Sequence, residues 1–285
     1  MKKDRKKTIL AEKISSSALK QIDIARGQLT NSDQQADFSI HEMRRCLKRL
    51  RAFLRLVKRE VGSTVYHRDN IFFRDLGRQL SGLRDATVLK QTLRELQEKS
   101  PQTLAPDTWR IIKREMKKSP GILSKKKIMK AVATKLEAAR VQVENWELEF
   151  DECLKLQKGI KLTYRKGRRA MKHAFTEPET ESYHEWRIQV NHLRHQLQML
   201  SEMKIGVEAE VLKNARNLTR TLGSMNDLAL LSQHIIRLKL VEKTEIQKLE
   251  QLIQLLQTDY QAEAMTLGKH LYRFAPKDFS GQMML

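Results

Sequence analysis

The sequence is poor in the residues that cross-link or interrupt a chain. It has two cysteines, Cys46 and Cys153, and neither has a Cys-x-x-Cys neighbour, which argues against a disulfide framework and against a zinc site. We predict that both are small buried side chains in a reducing cytosol. The five prolines, at 101, 106, 120, 178 and 276, leave long tracts between them that can be helical.

Long apolar runs are also missing. No stretch approaches the roughly 18 uninterrupted apolar residues of a membrane span. The apolar run that follows the basic amino terminus is interrupted at Glu12 and Lys13, so it is too short for the apolar region of a signal peptide. We therefore expect no membrane span and a cytoplasmic location.

Acidic residues are too few to balance the basic ones. There are 55 Lys and Arg against 34 Asp and Glu, so the formal net charge is +21. A compact body with this surplus repels itself unless it meets an anionic partner. Nucleic acid, acidic lipid and phosphate polymers all qualify as partners.

The sequence does contain apolar residues at spacings of three and four, as amphipathic helices require. We predict an all-α fold, and the 40% hydrophobic content is enough for a sizeable core. Stop signals at Gly62, Pro101, Pro120, Pro178 and Gly206 agree with the proposed helix ends. The predicted helices cover about 9–29, 39–61, 66–82, 85–99, 106–118, 122–142, 145–175, 180–203, 207–222, 226–240 and 243–273.

Two segments 143 residues apart are similar. His41-Glu-Met-Arg44 matches His184-Glu-Trp-Arg187, and the similarity continues downstream, where Leu83-Arg-Asp85 aligns with Met225-Asn-Asp227 at a spacing of 142. Such self-similarity indicates a tandem repeat. We expect the chain, 1–285, to be a single domain of two helical halves packed face to face with approximate twofold symmetry. The halves cover about 10–142 and 145–275.

The helix that begins near His41 has a one-sided row of basic residues, spanning about 80° of a helical wheel. Between His41 and Arg59 there are eight Lys or Arg and one acid, Glu42. Like charges at these spacings destabilise an isolated helix by tenths of a kcal/mol per pair, so we expect an anion to relieve the repulsion. The row is His41, Arg44, Lys48, Arg51, Arg55 and Arg59. The predicted core face is Met43, Cys46, Leu47, Leu50, Phe53, Leu54 and Val57.

A second basic row lies on a segment without any acid between Glu152 and Glu177. Its members share about 100° of the wheel, so this segment is predicted to supply further cations. The row is Lys158, Lys161, Arg165, Arg168, Arg169 and Lys172, and the opposite core face is Leu156, Ile160, Tyr164, Met171 and Ala174.

The repeated helix at His184 is less charged. Arg187 and Arg194 recur, but Asn191 and Gln198 stand where the first half has Lys48 and Arg55. We therefore expect a lopsided anion site, with most of its charge on the first helix and on the second basic row.

The histidine that starts each repeated helix admits several roles. No cluster of His or carboxylates accompanies it, which disfavours a metal ligand. Because His41 and His184 share a wheel sector with Arg44 and Arg187, we favour N–H donation to the same anion, while a structural role or a general base remains open.

The aspartates at 85 and 227 each precede an apolar helical run. We predict that Asp85 and Asp227 cap the next helix at its N-terminus, with ion pairing to the basic residues as the alternative.

Together these segments resemble the CHAD domain, the conserved histidine α-helical domain, over about residues 10–275. The resemblance rests on His41-x-x-Arg44-x-x-x-Lys48-Arg49-Leu50-Arg51, Leu83-Arg-Asp85, Tyr164-Arg-Lys-Gly-Arg168-Arg169-Ala170 and His184-x-x-Arg187. It implies two pseudosymmetric four-helix bundles around a basic central pore or cavity, and binding of inorganic polyphosphate. The Glu-x-Glu-x-Lys motif of the CYTH triphosphatase domain, which often accompanies CHAD, is absent.

The resemblance also implies which residues bind polyphosphate. The chain departs from the family pattern at Asn191 and His192, where Lys or Arg is expected. The implied residues are His41, Arg44, Lys48, Arg49 and Arg51 in the first repeat, Arg165, Arg168 and Arg169 in the middle, and His184, Arg187 and Arg194 in the second repeat. The basic rows add Arg55, Lys161 and Lys172.

We therefore expect a non-enzymatic binder of inorganic polyphosphate or another linear polyanion, without a cofactor, that is targeted to polyphosphate granules or regulates polyphosphate metabolism. A nucleic-acid-binding helical module is the alternative, although aromatics for base stacking form only 6% of the chain. An enzyme acting on phosphoanhydrides is disfavoured, because no P-loop and no paired acidic motif occurs.

Overall fold

The computed structural model describes residues 2–30, 36–116, 122–148, 154–238 and 241–282. Within these ranges it has α-helices, one 3₁₀ turn (Gln28–Thr30) and no strand, which confirms the predicted all-α class. No helix in the described ranges is long and apolar enough to cross a membrane. The helices are α1 (Lys2–Gly27), α2 (Ala36–Leu56), α3 (Lys58–Gln79), α4 (Ser81–Lys99), α5 (Pro106–Met116), α6 (Ile122–Glu144), α7 (Leu154–Thr176), α8 (Thr180–Glu202), α9 (Ala209–Leu238), α10 (Lys243–Leu271) and α11 (Pro276–Gln282).

The chain turns between α2 and α3 over Val57–Gly62. Helix α2 ends at Leu56, and Gly62 breaks the start of α3 with φ 79° and ψ 164°, a backbone conformation that favours glycine. The predicted stop at Gly62 is therefore confirmed, but the predicted helix over 39–61 is too long. Arg59 consequently falls beyond α2, and the basic row on that helix ends at Arg55.

Helix α9 is a single element where the sequence predicted two. The residues Gly223 to Asn226 have the composition of a turn, yet Leu222, Gly223 and Met225 are buried and the helix continues through them. Tertiary burial overrides local propensity here. The prediction that Asp85 and Asp227 are N-caps is wrong, because both lie inside helices; the Asp85 side chain is outside the described residues.

The chain between α6 and α7 was also predicted incorrectly. The helix expected over 145–175 begins only at Leu154, since Trp146 leaves α6 and packs into the core, where its Nε1 donates to Oδ2 of buried Asp69 at 2.8 Å. Pro120 and Cys153 lie outside the described residues. Cys46 is buried, as predicted, and burial raises the pKa of its thiol to about 11.

The short final helix α11 has no counterpart among the predicted helices. Its Phe279 is buried and stacks on Tyr164 of α7, with 3.8 Å between the ring centroids. This contact fixes the position of α7, whose predicted core face is entirely buried, as is that of α2.

Two hydrophobic clusters among the described residues draw on both halves of the chain. The larger one contains the core faces of α2, α7 and α8. In the smaller one, Leu93 and Trp109 of α4 and α5 pack with Leu231 and Ile253 of α9 and α10. Helix α2 thus lies in the middle of the fold, against α1, α3, α7 and α8.

Candidate polyanion-binding site

Helices α2 and α8, the two repeated helices, pack against each other. Where they cross, the buried side chain of Gln196 on α8 donates from Nε2 to the backbone oxygen of Ala52 on α2 at 3.0 Å. This buried polar contact fixes the helices relative to each other, and it brings cations of α2 next to those of α8.

Lys48 is the clearest case of cation crowding. Its pKa falls from 10.5 to about 8, chiefly because of desolvation and then because of the charges of Arg187, Arg44 and Arg194; Asp227 opposes the shift. The side chain is nevertheless accessible to solvent. Lys48 therefore lies in a concave part of the surface, surrounded by protein but open to water. We call Arg44, Lys48, Arg187 and Arg194 the Lys48 cluster.

Two arginines of the Lys48 cluster are positioned by helices that come later in the chain. Arg44 Nη1 donates to the backbone oxygen of Gly77 at 3.2 Å and to the hydroxyl of Ser81. Arg187 Nη1 lies 3.8 Å from Oδ1 of Asp227. The aspartate at 227 thus orients a basic residue, as in the alternative considered above, instead of capping a helix.

Arg194 faces a second group of arginines. Desolvation, and then the charges of Arg49, Arg216 and Arg45, lower the pKa of Arg194 to about 10. Arg49 is held by α1, since its Nη1 donates to Oε1 of Gln21 at 3.2 Å. Of these residues, Arg45 and Arg216 were not among the predicted site residues.

The far end of the α2 row is also crowded. Desolvation lowers the pKa of Arg51, and the charges of Arg55, Arg74 and Arg78 lower it further. The Arg51 Nε donates to Oδ1 of Asn70 at 3.1 Å, which holds the guanidinium against α3. The α2 row therefore extends from the Lys48 cluster toward arginines of α3 that the sequence did not single out.

Helix α7 contributes a lysine that the predicted row left out. Desolvation lowers the pKa of Lys166, as do the charges of Arg55, Lys58 and Arg165. Lys166 is thereby placed near Arg55 of α2 and Lys58 of α3, and Arg165 of the predicted row is its neighbour in sequence. Arg168 instead lies near Tyr164. Burial raises the pKa of the Tyr164 phenol to about 12, although the charge of Arg168 acts to lower it. A role for Lys161, Arg169 and Lys172 stays a prediction.

The two motif histidines differ in their surroundings. His184 is exposed, and its Nδ1 lies 2.8 Å from Oδ1 of Asn226. Because Asn226 donates from Nδ2 to Asp227 at 3.3 Å, its Oδ1 faces the imidazole and accepts from Nδ1–H. His41 is half-buried, with Nε2 3.9 Å from Oε1 of Glu42. The described residues contain no group of three or more His, Cys, Asp or Glu able to hold a metal ion.

The positions where the second repeat departs from the family pattern add no cation. Asn191 donates from Nδ2 to the backbone oxygen of Arg187 at 3.0 Å. His192 and His195 are buried, and desolvation, followed by neighbouring charges such as Arg55 and Arg194, holds their pKa values well below 6.5. Both imidazoles are therefore neutral at pH 7.

A search of the curated proteins found no match. A protein-family model described as the CHAD domain matches residues 18–235, which contain α2, α7, α8 and all four residues of the Lys48 cluster. The match covers more than half of the chain, and the chain belongs to the CHAD domain family.

Proposed function

We propose that this protein binds inorganic polyphosphate at the Lys48 cluster and the adjoining cations of α2, and that it does so without catalysis. The observation that carries the proposal is the grouping of three arginines around the exposed Lys48, whose pKa desolvation and then these charges lower to about 8. Cations held so close together repel one another, and the Lys48 pKa is lowered even though Asp227 opposes the shift. A phosphate polymer would relieve the repulsion.

A linear polyphosphate suits the arrangement of these cations. Successive turns of α2 rise by about 5.4 Å, so Arg44, Lys48, Arg51 and Arg55 form a row that a chain with one charge per phosphate can follow. Guanidinium groups make charge-assisted and partly bidentate contacts with phosphate oxygens. Arg187 and Arg194 on α8 form the less charged wall of the same site.

A twofold arrangement of the repeats is part of the proposal. The motif arginines reach equivalent places, since Arg44 contacts Ser81, Arg187 lies beside Gly223, and positions 81 and 223 are 142 residues apart. Where the two helices cross, Gln196 contacts Ala52. The position equivalent to Ala52 in the second repeat, 143 residues later, is His195, which is the neighbour of Gln196 in sequence. Both contacts are those expected of two pseudosymmetric bundles, and a basic central cavity between the bundles is part of the same proposal.

In the cell, such binding would recruit the protein to polyphosphate granules or modulate enzymes that make or degrade the polymer. Incubation of the purified protein with labelled polyphosphate and magnesium tests the absence of catalysis. Any phosphate release that requires the protein would contradict a pure binding function.

Calorimetric titration tests the binding itself, with polyphosphate, duplex DNA, RNA and short phosphates compared at two salt concentrations. We expect polyphosphate to bind most tightly and its affinity to fall with salt as counterions are released, by analogy with nucleic acids. If DNA or RNA binds more tightly at matched salt, the protein is instead a nucleic-acid-binding module.

A pair of charge-matched variants localises the site. Replacing Arg44, Lys48 and Arg187 with Gln should lower the affinity for polyphosphate by about 100-fold or more, because each replacement removes a charge-assisted contact. Replacing the exposed Lys13, Lys130 and Lys243 with Gln removes the same charge and should lower it by less than about fivefold through weaker long-range attraction. Equal losses in the two variants would show that net charge, not this site, binds the polymer.

A further inference from the structure

Lys48 differs chemically from the other members of its cluster. It is the one amine among three guanidinium groups, and guanidinium groups stay protonated in proteins. Solvent reaches its side chain. Within the part of the chain that the structure describes, the Lys48 amine has no hydrogen-bond or ion-pair partner. It is therefore free to meet a reagent from solution.

Desolvation, and then the charges of the cluster, also make this amine a better nucleophile. With a pKa of about 8 in place of 10.5, the fraction of free amine at neutral pH rises by about 300-fold. Each free amine is then less basic and, on a Brønsted slope like that of thiols, about tenfold to twentyfold less nucleophilic. A gain of about tenfold or more remains, as for other lysines activated by a neighbouring cation.

The arginines determine which reagents this amine meets. Arg44, Arg187 and Arg194 are suited to bind a phosphoryl group, so a small electrophile with a phosphoryl group next to its reactive carbon is held beside the amine. Acyl phosphates have this structure, with the carbonyl carbon one oxygen away from phosphorus. We propose that Lys48 is a site of acylation by small acyl phosphates, whose phosphoryl group binds to the arginines of the Lys48 cluster.

The reaction is an acyl transfer that needs no oxidant or reductant. The lone pair of Lys48 Nζ attacks the carbonyl carbon, a C–N bond forms, and the C–O bond to phosphate breaks with its electron pair on the phosphate oxygen. The proton lost by the amine passes to the departing phosphate. The products are an acylated lysine and hydrogen phosphate, which the arginines release to solvent. Binding the phosphoryl group supplies proximity and orientation.

Acylation would change the site because it removes a positive charge from its centre. This consequence rests on the proposed function: polyphosphate should bind less tightly to the acylated protein. Acyl phosphate would then act as a switch that lowers polymer binding.

The test uses acetyl phosphate on the full-length protein at pH 7.5, with peptide mass spectrometry to follow each lysine. We expect Lys48 to be acetylated about tenfold or more faster than the exposed Lys20 and Lys243. With N-acetoxysuccinimide, an acetyl donor without phosphate, the preference for Lys48 should be several-fold smaller. The R187Q variant should lose much of the preference for Lys48 with acetyl phosphate.

Two results would overturn the proposal: acetylation of Lys48 no faster than that of Lys20 and Lys243, or the same preference for Lys48 with both reagents. Circular dichroism of the R187Q variant confirms that it is folded before its rates are compared. Titration of the unmodified protein with polyphosphate is read separately, so a failure of acylation and a failure of polymer binding are distinguishable.

Discussion

The protonation of Lys48 reflects the charges and the burial of the site around it. A surface lysine in open water is fully protonated near pH 8, whereas this one is surrounded by protein and by three arginines, which lower its pKa to about 8. Its protonation is therefore coupled to any event that adds negative charge nearby. The same shift means that the unfolded chain holds the Lys48 proton more tightly than the folded one. The cost to folding of desolvating this charge and placing it among arginines therefore decreases as pH rises from about 8 to 10.5.

This coupling predicts a pH dependence of binding. Polyphosphate favours the charged amine, so its affinity should fall by about threefold to tenfold as pH rises through about 8 and Lys48 of the free protein deprotonates. Titration calorimetry between pH 7 and pH 9.5 in buffers of different ionisation enthalpy should also detect proton uptake. The K48R variant keeps its charge over this range and should show little of the decline. A decline of the same size in K48R would mean that another group titrates.

At the scale of the element, the position of α7 depends on a close approach to α2. A Cβ atom at Gly159 would lie 2.3 Å from the backbone oxygen of Leu56. A helix backbone cannot yield locally as a side chain can, so the two helices must move apart if a larger residue is introduced. Such a movement would also shift Lys166 away from Arg55.

We therefore predict that G159A destabilises the protein by about 1–3 kcal/mol, measured by urea unfolding. The control is G27A, where nothing lies within 4 Å of the added Cβ, and this variant should be neutral or slightly stabilising because alanine favours helix. A neutral G159A would mean that α2 and α7 are less tightly packed than the structure indicates.

The sequence predicted the buried faces of individual helices better than it predicted where helices end and how they pack against one another. Periodicity identified the buried faces of α2 and α7, because the burial of an amphipathic helix follows directly from its pattern. It missed the continuity of α9, because a turn-like segment was held helical by buried Leu222 and Met225.

The same limit applied to the site. A helical wheel gives the charged side of α7 but not the side that meets α2, and so Lys166 was missed. Arg45 and Arg216 were missed because they become neighbours of Arg194 only through packing. The alignment of the two repeats was the signal that could be used, since it singled out α2 and α8 as related helices.

At the scale of the whole molecule, the formal charge of +21 opposes compaction. Salt screens this repulsion, and it also weakens contacts with a polyanion. The stability of the free protein and the affinity for polyphosphate should therefore respond to salt in opposite directions.

The corresponding prediction is that the melting temperature of the free protein rises by about several degrees between 50 and 500 mM NaCl, measured by differential scanning fluorimetry. With saturating polyphosphate at low salt, the melting temperature of the complex should be higher than that of the free protein. At high salt the two melting temperatures should converge. A free protein whose melting temperature falls with salt would show that repulsion is not what limits its stability.

The contact between α5 and α10 has a consequence for synthesis of the chain. The backbone N–H of Ala105 donates to Oε2 of Glu245 at 2.8 Å, and Trp109 is buried with Leu249 and Ile253 in the smaller core. The later residues of these contacts follow the earlier ones by about 140 positions, or about 7–28 seconds at ordinary rates of translation. Until α10 has been made, the apolar side of α5 lacks the partners that cover it in the folded protein, so this part of the core closes late in synthesis.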